Sequence, residues 1–156
     1  MEEKRLDYAS ISPQGLQAFR GVRNYIAGCG LDPILVDLVY LRVSQINGCA
    51  YCVDLHYRDA LKRGVNPRKL NSLVAWREGP FFNARERAAL AWTESLTFIA
   101  RTGAPQEDFD AVKAHFSEKE LADLSYAIAL MNALNRVSVG FRGQPELSAE
   151  ERAAIG

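Results

Sequence analysis

The sequence has no excess of charge of either sign. It contains 19 lysine and arginine residues and 19 aspartate and glutamate residues, so its formal net charge is zero. Proteins that bind nucleic acid usually carry a basic excess or a basic stripe. Here basic residues are interleaved with acidic ones, as in Arg58-Asp59 and Arg85-Glu86-Arg87. We therefore expect no nucleic-acid partner.

Long apolar runs are also missing. The longest, Tyr126 to Leu134, is much shorter than the ~18 apolar residues that a membrane span requires. The N-terminus, Met1 to Arg5, is mostly charged and leads into Asp7 without the apolar segment of a secretory signal. We expect a cytoplasmic protein that has no membrane partner.

Cysteine is scarce, with three residues in the chain. In a reducing compartment these do not form a structural disulfide framework. Two of them, Cys49 and Cys52, form a Cys-x-x-Cys motif, which in a cytoplasmic protein is typical of redox chemistry or metal binding. Cys29 stands alone between two glycines, and we assign it no role.

Sustained alternation of apolar and polar residues, the pattern of β-strands, does not occur, whereas helix start and stop signals are frequent. The sequence predicts one all-α domain of about six or seven helices over residues 1–156, with its core roughly at 15–140 and a loosely held tail at 143–156. In the fifth helix, apolar spacing predicts core positions that include Leu90 and Ile99. The expected helices are 13–27, 33–47, 49–64, 67–78, 83–103, a short helix after 105, and 117–139.

The Cys-x-x-Cys pair lies at the expected start of the third, central helix, directly after Asn47-Gly48. Residues three apart share a helix face, so the two sulfurs can approach and form a disulfide. The helix N-terminus favours a thiolate, because its N–H groups are unpaired and carry a partial positive charge. His56 lies about one turn after Cys52, where it can accept the thiol proton or stabilise the thiolate as an imidazolium.

This spacing favours Cys52 as the nucleophile and Cys49 as the residue that closes the disulfide. In thioredoxin-type enzymes the N-terminal cysteine attacks instead, and here the position of His56 decides between the two orders. Three other interpretations stay open. The pair could be half of a zinc site with His56 as third ligand, two inert buried cysteines, or part of a redox-sensing or structural oligomer without turnover.

The segment from Asp37 to Cys52, followed by Asp54 and His56, closely resembles the AhpD-like core of the carboxymuconolactone decarboxylase superfamily. The resemblance continues through residues 75–78, 86–94, 120–121 and 135–136. It implies an AhpD-like helical bundle, assembly into homo-oligomers such as trimers or hexamers, and thiol-dependent reduction of alkyl hydroperoxides. The decarboxylases of the superfamily lack the cysteine pair, so the pair argues against that activity.

The resemblance also implies a role for each residue of the motif. In the family the second cysteine becomes the sulfenic acid and the first resolves it, which assigns these roles to Cys52 and Cys49. The family histidine corresponds to His56, and the glutamate of its proton relay corresponds to Asp37, a shorter carboxylate. Asp37 could equally be a first-turn carboxylate that stabilises its helix. Tyr51 stands where the best-studied members have a histidine.

The implied reaction needs a peroxide substrate and an external dithiol reductant, which in the family is a lipoyl-type or thioredoxin-like protein. It needs no bound cofactor and no metal. An apolar pocket beside the cysteines would suit organic peroxides. Leu41, Phe81, Phe82 and Trp92 are candidates to line it, although apolar residues at helical spacing are usually core.

Overall fold

The computed structural model describes residues 3–155, and within this range every regular element is helical. This confirms the all-α class. The prediction of no secretory signal falls partly on residues 1 and 2, which lie outside the described residues. The helices are α1 (Tyr8–Ile11), α2 (Pro13–Gly28), α3 (Pro33–Asn47), α4 (Ala50–Lys62), α5 (Pro67–Asn71), α6 (Ala84–Thr97), α7 (Ile99–Thr102), α8 (Gln106–Lys113), α9 (Glu118–Gly140) and α10 (Ala149–Ile155), with a 3-10 turn at Ser72–Ala75 after α5.

Most helix ends lie where the sequence signals predict them. Pro33 opens α3, and the side chain of Asp32 accepts a hydrogen bond from the Ile34 N–H at 2.9 Å. Both long C-terminal helices begin with capping boxes, at Asn83 for α6 and at Ser117 for α9. These caps satisfy N–H groups that would otherwise be unpaired at the helix ends.

The helix predicted for residues 83–103 is broken. Phe98 leaves helical geometry (φ −96°, ψ 24°), so α6 ends at Thr97 and the separate turn α7 follows. The Thr102 hydroxyl fixes this break by donating a hydrogen bond to the Ser95 carbonyl at 2.7 Å. The core prediction is correct for Leu90, which is fully buried, and wrong for Ile99, which is 55% exposed. The change of direction after α6 turns Ile99 outward.

The regions between the long helices are less regular than predicted. The helix expected at 67–78 is the single turn α5, which continues as the 3-10 turn. Two short helices were not predicted, α1 before the first proline and α10 in the tail. Helix α10 contains no buried residue, and the loosely held tail stays a prediction.

Helix α3 lies at the centre of the fold. Its residues Val39 and Val43 pack into a cluster with α6 and α9, while Leu38 and Leu41 pack into a second cluster with α4, α5 and α6. A helix buried on both sides needs apolar residues around most of its surface, as α3 has. Because α4 follows it after a tight turn, the start of α4 is held against the core.

Candidate active site

The turn between α3 and α4 positions the cysteines. Gly48 adopts the left-handed conformation (φ 66°, ψ 31°) that ends α3, and this conformation favours glycine. Cys49 is then the N-cap of α4, and its sulfur accepts a hydrogen bond from the Cys52 N–H at 3.4 Å. The Asn47 amide fastens the turn to α9 by bonds of 3.0 Å to Asn132 and Asn135.

The two cysteines are unequal in acidity. A hydrogen bond from the Cys52 thiol lowers the pKa of Cys49 to about 6, against the effect of burial, and the neighbouring Ser138 and Asn135 side chains add to the lowering. The same interaction with Cys49, together with burial, raises the pKa of Cys52. In the reduced protein the thiolate is therefore on Cys49, whereas the sequence predicted it on Cys52. The hydrogen bond between the two sulfurs is the largest cause of the difference, and the Cys52 N–H at the start of α4 adds to it.

His56 is buried and neutral. It is 3% exposed, and burial lowers its pKa to about 4, with a further lowering by the nearby Arg23. Among residues 3–155 no hydrogen bond joins His56 to either cysteine, although His56 and Cys52 line the same cavity. Two roles were predicted for this histidine. Because His56 is neutral, the role of proton acceptor is favoured over that of an imidazolium.

Asp37 lies in the middle of α3 and is 6% exposed. Burial raises its pKa, while the Arg63 guanidinium, whose Nε lies 2.7 Å from Oδ2, opposes the rise. The first turn of α3 contains no acidic residue, and its cap is Asp32. The structure thus does not support Asp37 as a first-turn carboxylate.

A small cavity of about 80 Å³ connects Asp37 with His56. Tyr40 also lines it, and the Tyr40 ring packs on the His56 imidazole with centroids 5.0 Å apart. The Tyr40 hydroxyl and His56 Nδ1 are buried, and neither has a hydrogen-bond partner in the described part of the chain. This volume is sufficient for water, which needs ~10–15 Å³, so the polar groups can be linked through solvent.

A larger cavity of about 270 Å³ opens beside Cys52. Its apolar wall comes from α2 and α9, through Leu16, Phe19, Leu130 and Met131. None of the four residues that the sequence offered as candidates to line an apolar pocket beside the cysteines lines this cavity: Leu41, Phe81, Phe82 and Trp92. Leu41 and Phe82 are core residues of the second cluster, Phe81 packs against that cluster, and Trp92 belongs to the first.

Residues 3–155 contain no group of three or more histidine, cysteine, aspartate or glutamate side chains able to hold a metal ion. The zinc interpretation of the cysteine pair therefore has no ligand set in this range. None of the described helices is both long and apolar enough to cross a membrane.

The part of the chain that contains the cysteine pair also relates it to known proteins. A model of the carboxymuconolactone decarboxylase family matches residues 13–95, the part that runs from α2 through the cysteine turn to α6. The chain belongs to this family. Its cysteine pair and all-helical fold make it an AhpD-like member.

Two relatives match this chain over most of its length. The uncharacterized protein YdfG of Bacillus subtilis is 34% identical over 136 residues, which are 87% of this chain and 92% of YdfG. The solved structure of ATU0492 from Agrobacterium tumefaciens is 39% identical, with a TM-score of 0.91, and covers 94% of this chain and 100% of its own. ATU0492 is described as a protein of unknown function and an AhpD candidate in antioxidant defence.

A second solved structure, that of the debrominase Bmp8, shows an enzyme on the same fold. It is 27% identical with a TM-score of 0.75, and the match covers 94% of this chain and 77% of Bmp8. The family thus includes enzymes of more than one kind.

Several residues that line the site of this chain were not predicted from its sequence. Arg20 and Arg23 of α2 line the larger cavity, and Tyr40 lines both cavities. The spacing of Leu16, Phe19, Arg20 and Arg23 on one helix face was a usable signal. No pattern in the sequence, however, connected that face with the cysteines.

Proposed function

We propose that this protein is a thiol-dependent peroxidase that reduces alkyl hydroperoxides with Cys52 and Cys49. The observation that carries the proposal is the unequal placement of the two sulfurs. Cys52 lines the cavity of about 270 Å³, whereas Cys49 sits behind it as the cap of α4 with a lowered pKa. The Cys52 sulfur meets the substrate. The Cys49 sulfur is ionised and ready to react with Cys52 after Cys52 has been oxidised.

In the first step the Cys52 sulfur attacks the terminal oxygen of the hydroperoxide. Its proton passes to the Cys49 thiolate or to neutral His56. The S–O bond forms and the O–O bond breaks. The departing alkoxide takes up the proton that Cys52 lost and leaves as the alcohol, so Cys49 is a thiolate again. Cys52 is oxidised to a sulfenic acid by two electrons, which the peroxide receives.

In the second step Cys49, as thiolate, attacks the Cys52 sulfur. The S–S bond forms, the S–O bond breaks, and hydroxide leaves as water after protonation. An external dithiol then attacks the Cys52 sulfur from the cavity and expels Cys49. A thiol of low pKa is the faster leaving group, so the lowered pKa of Cys49 promotes reduction of the disulfide as well as its formation.

His56 and Asp37 manage protons in this scheme. Neutral His56 can accept a proton, and the small cavity leads from it past Tyr40 to Asp37. The raised pKa of Asp37 makes it a better proton acceptor than an ordinary carboxylate. Water in the small cavity would bridge the gap left by aspartate in place of the longer glutamate.

Two further expectations remain proposals. We propose a lipoyl-type or thioredoxin-like dithiol protein as reductant, and a homo-oligomeric assembly. In support of assembly, α2 has a single buried residue and exposes Val22 and Tyr25, and Tyr25 donates a hydrogen bond at 2.8 Å to Asp123 near exposed Tyr126 on α9. Exposed aromatic surface of this kind is typical of interfaces.

The test is steady-state consumption of cumene hydroperoxide with dihydrolipoamide as reductant. We expect turnover in the wild-type protein and in Cys29→Ser, and none in Cys52→Ser. Cys49→Ser should consume one equivalent of peroxide and accumulate a sulfenic acid on Cys52, which a dimedone probe labels.

A Cys49–Cys52 disulfide that forms without catalytic turnover would contradict the proposed peroxidase activity and favour a redox sensor. Failure of peroxide to oxidise the pair would overturn the mechanism. Bromide release from 2,3,4-tribromopyrrole, the compound bound in a Bmp8 structure, without peroxide consumption would reassign the reaction to dehalogenation.

A further inference from the structure

The larger cavity combines an apolar wall with two arginines. Residues 16, 19, 20 and 23 share one face of α2, so the same helix supplies apolar Leu16 and Phe19 and the guanidinium groups of Arg20 and Arg23. The cysteine and histidine side of the cavity faces this helix. A bound molecule would therefore contact an apolar surface, two cations and Cys52 together.

These two cations are poorly compensated. Arg20 has no ion pair or hydrogen bond with any other described residue, and no aspartate or glutamate lines the cavity. Arg23 approaches Asp59 at 4.0 Å, and Asp59 is also paired with Lys62 at 3.5 Å. By contrast, the partly buried Arg42 is paired with Glu94 at 2.7 Å. Two guanidinium groups and no carboxylate therefore line the cavity, an arrangement that favours an anion.

We propose that the physiological substrate is a small apolar hydroperoxide that carries a carboxylate, which Arg20 and Arg23 bind while the peroxide group reaches Cys52. This inference rests on the proposed peroxidase activity and adds its substrate class. The cavity, at about 270 Å³, lies just below the ~300–1,000 Å³ of typical ligand pockets, which indicates a compact molecule. Guanidinium groups bind carboxylates by charge-assisted, often bidentate, hydrogen bonds.

The carboxylate takes no part in the electron balance. The O–O bond breaks and the S–O bond forms at Cys52 as described above, and the product is the corresponding hydroxy acid. Because the arginines bind the substrate and the transition state alike, they should lower KM and leave kcat nearly unchanged.

The experiment compares a medium-chain hydroperoxy carboxylic acid with its methyl ester, which lacks the negative charge and adds one methyl group. We expect the wild-type protein to prefer the acid by about tenfold or more in kcat/KM, with the preference falling as salt is added. Arg20→Gln and Arg23→Gln should each reduce the preference through KM, and Arg20→Lys should retain part of it. Arg101→Gln, on α7 and outside the cavity, is the matched control and should behave as wild type.

Equal rates for acid and ester in the wild type would overturn the proposal, as would a preference that survives both arginine substitutions. A separate measurement distinguishes this failure from failure of the peroxidase itself. Binding of the unreactive parent carboxylic acid, followed by calorimetry, should weaken in Arg20→Gln even if no hydroperoxide is turned over. If peroxide is reduced but the acid does not bind, the substrate class is wrong and the peroxidase stands.

Discussion

The position of the thiolate is the most direct quantity to test. With a pKa of about 6, Cys49 would be about 90% ionised at pH 7, whereas an ordinary cysteine of pKa ~8.5 is about 3% ionised. The reduced protein should therefore contain close to one thiolate per chain at neutral pH. The hydrogen bond from the Cys52 thiol is the largest cause, so removal of this donor should raise the pKa of Cys49 more than any other single change near the site.

The measurement is thiolate absorbance near 240 nm during a pH titration, in a Cys29→Ser background that leaves only the pair. Wild type should show a transition near pH 6. Cys49→Ser should abolish it, because the remaining Cys52 is buried. Cys52→Ala should move the transition towards the ordinary range, while Cys52→Ser, which keeps a hydroxyl donor, should move it less.

Stability provides a second measure of the same shift. Folding lowers the pKa of Cys49, so its contribution to the free energy of unfolding is complete above ~pH 8.5 and is lost as the pH falls through about 6. Folding raises the pKa of Cys52, which opposes stability above ~pH 8.5. The stabilisation by the pair should thus rise from about pH 6 and be greatest near pH ~8.5. A transition near pH 6 that persists in Cys49→Ser and disappears in Cys52→Ser would refute the assignment.

Two other predictions concern carboxylates, the buried Asp37 and the partly buried Glu94. Asp37→Asn should lower kcat for hydroperoxide by about tenfold or more and change the pH profile, because the relay loses its proton acceptor. Asp37→Glu should retain activity. Unchanged turnover in Asp37→Asn would exclude the relay. Glu94 accepts hydrogen bonds at 2.7–2.9 Å from Arg42, Trp76 and Arg77. Glu94→Gln should lower the free energy of unfolding, measured with denaturant, by about 3 kcal/mol, because Arg42 is left partly buried without its partner. Glu118→Gln, at an exposed position, should change it little. A loss below ~1 kcal/mol in Glu94→Gln would show that the network contributes little to stability.

Local signals in the sequence were sufficient for most of the fold. Proline at the first helical position, Asn-Gly at a helix end and capping boxes act within a few residues, so α3, α6 and α9 begin where they were predicted. The cysteine motif was likewise placed correctly at the start of a helix, because Gly48 and Cys49 form that turn from their own conformational preferences. The break at Phe98 carries no glycine or proline, so no local signal predicted it.

Tertiary structure alone decided how the site is divided between the sulfurs. Residue spacing brought Cys49, Cys52 and His56 to one end of a helix. Burial then made the histidine neutral, and the hydrogen bond from the Cys52 thiol moved the thiolate to Cys49. The substrate cavity needed α2 and α9, whose residues lie far from the motif in sequence. Helix identity depends on short-range propensities, whereas pKa values and cavity walls depend on which distant helices pack together.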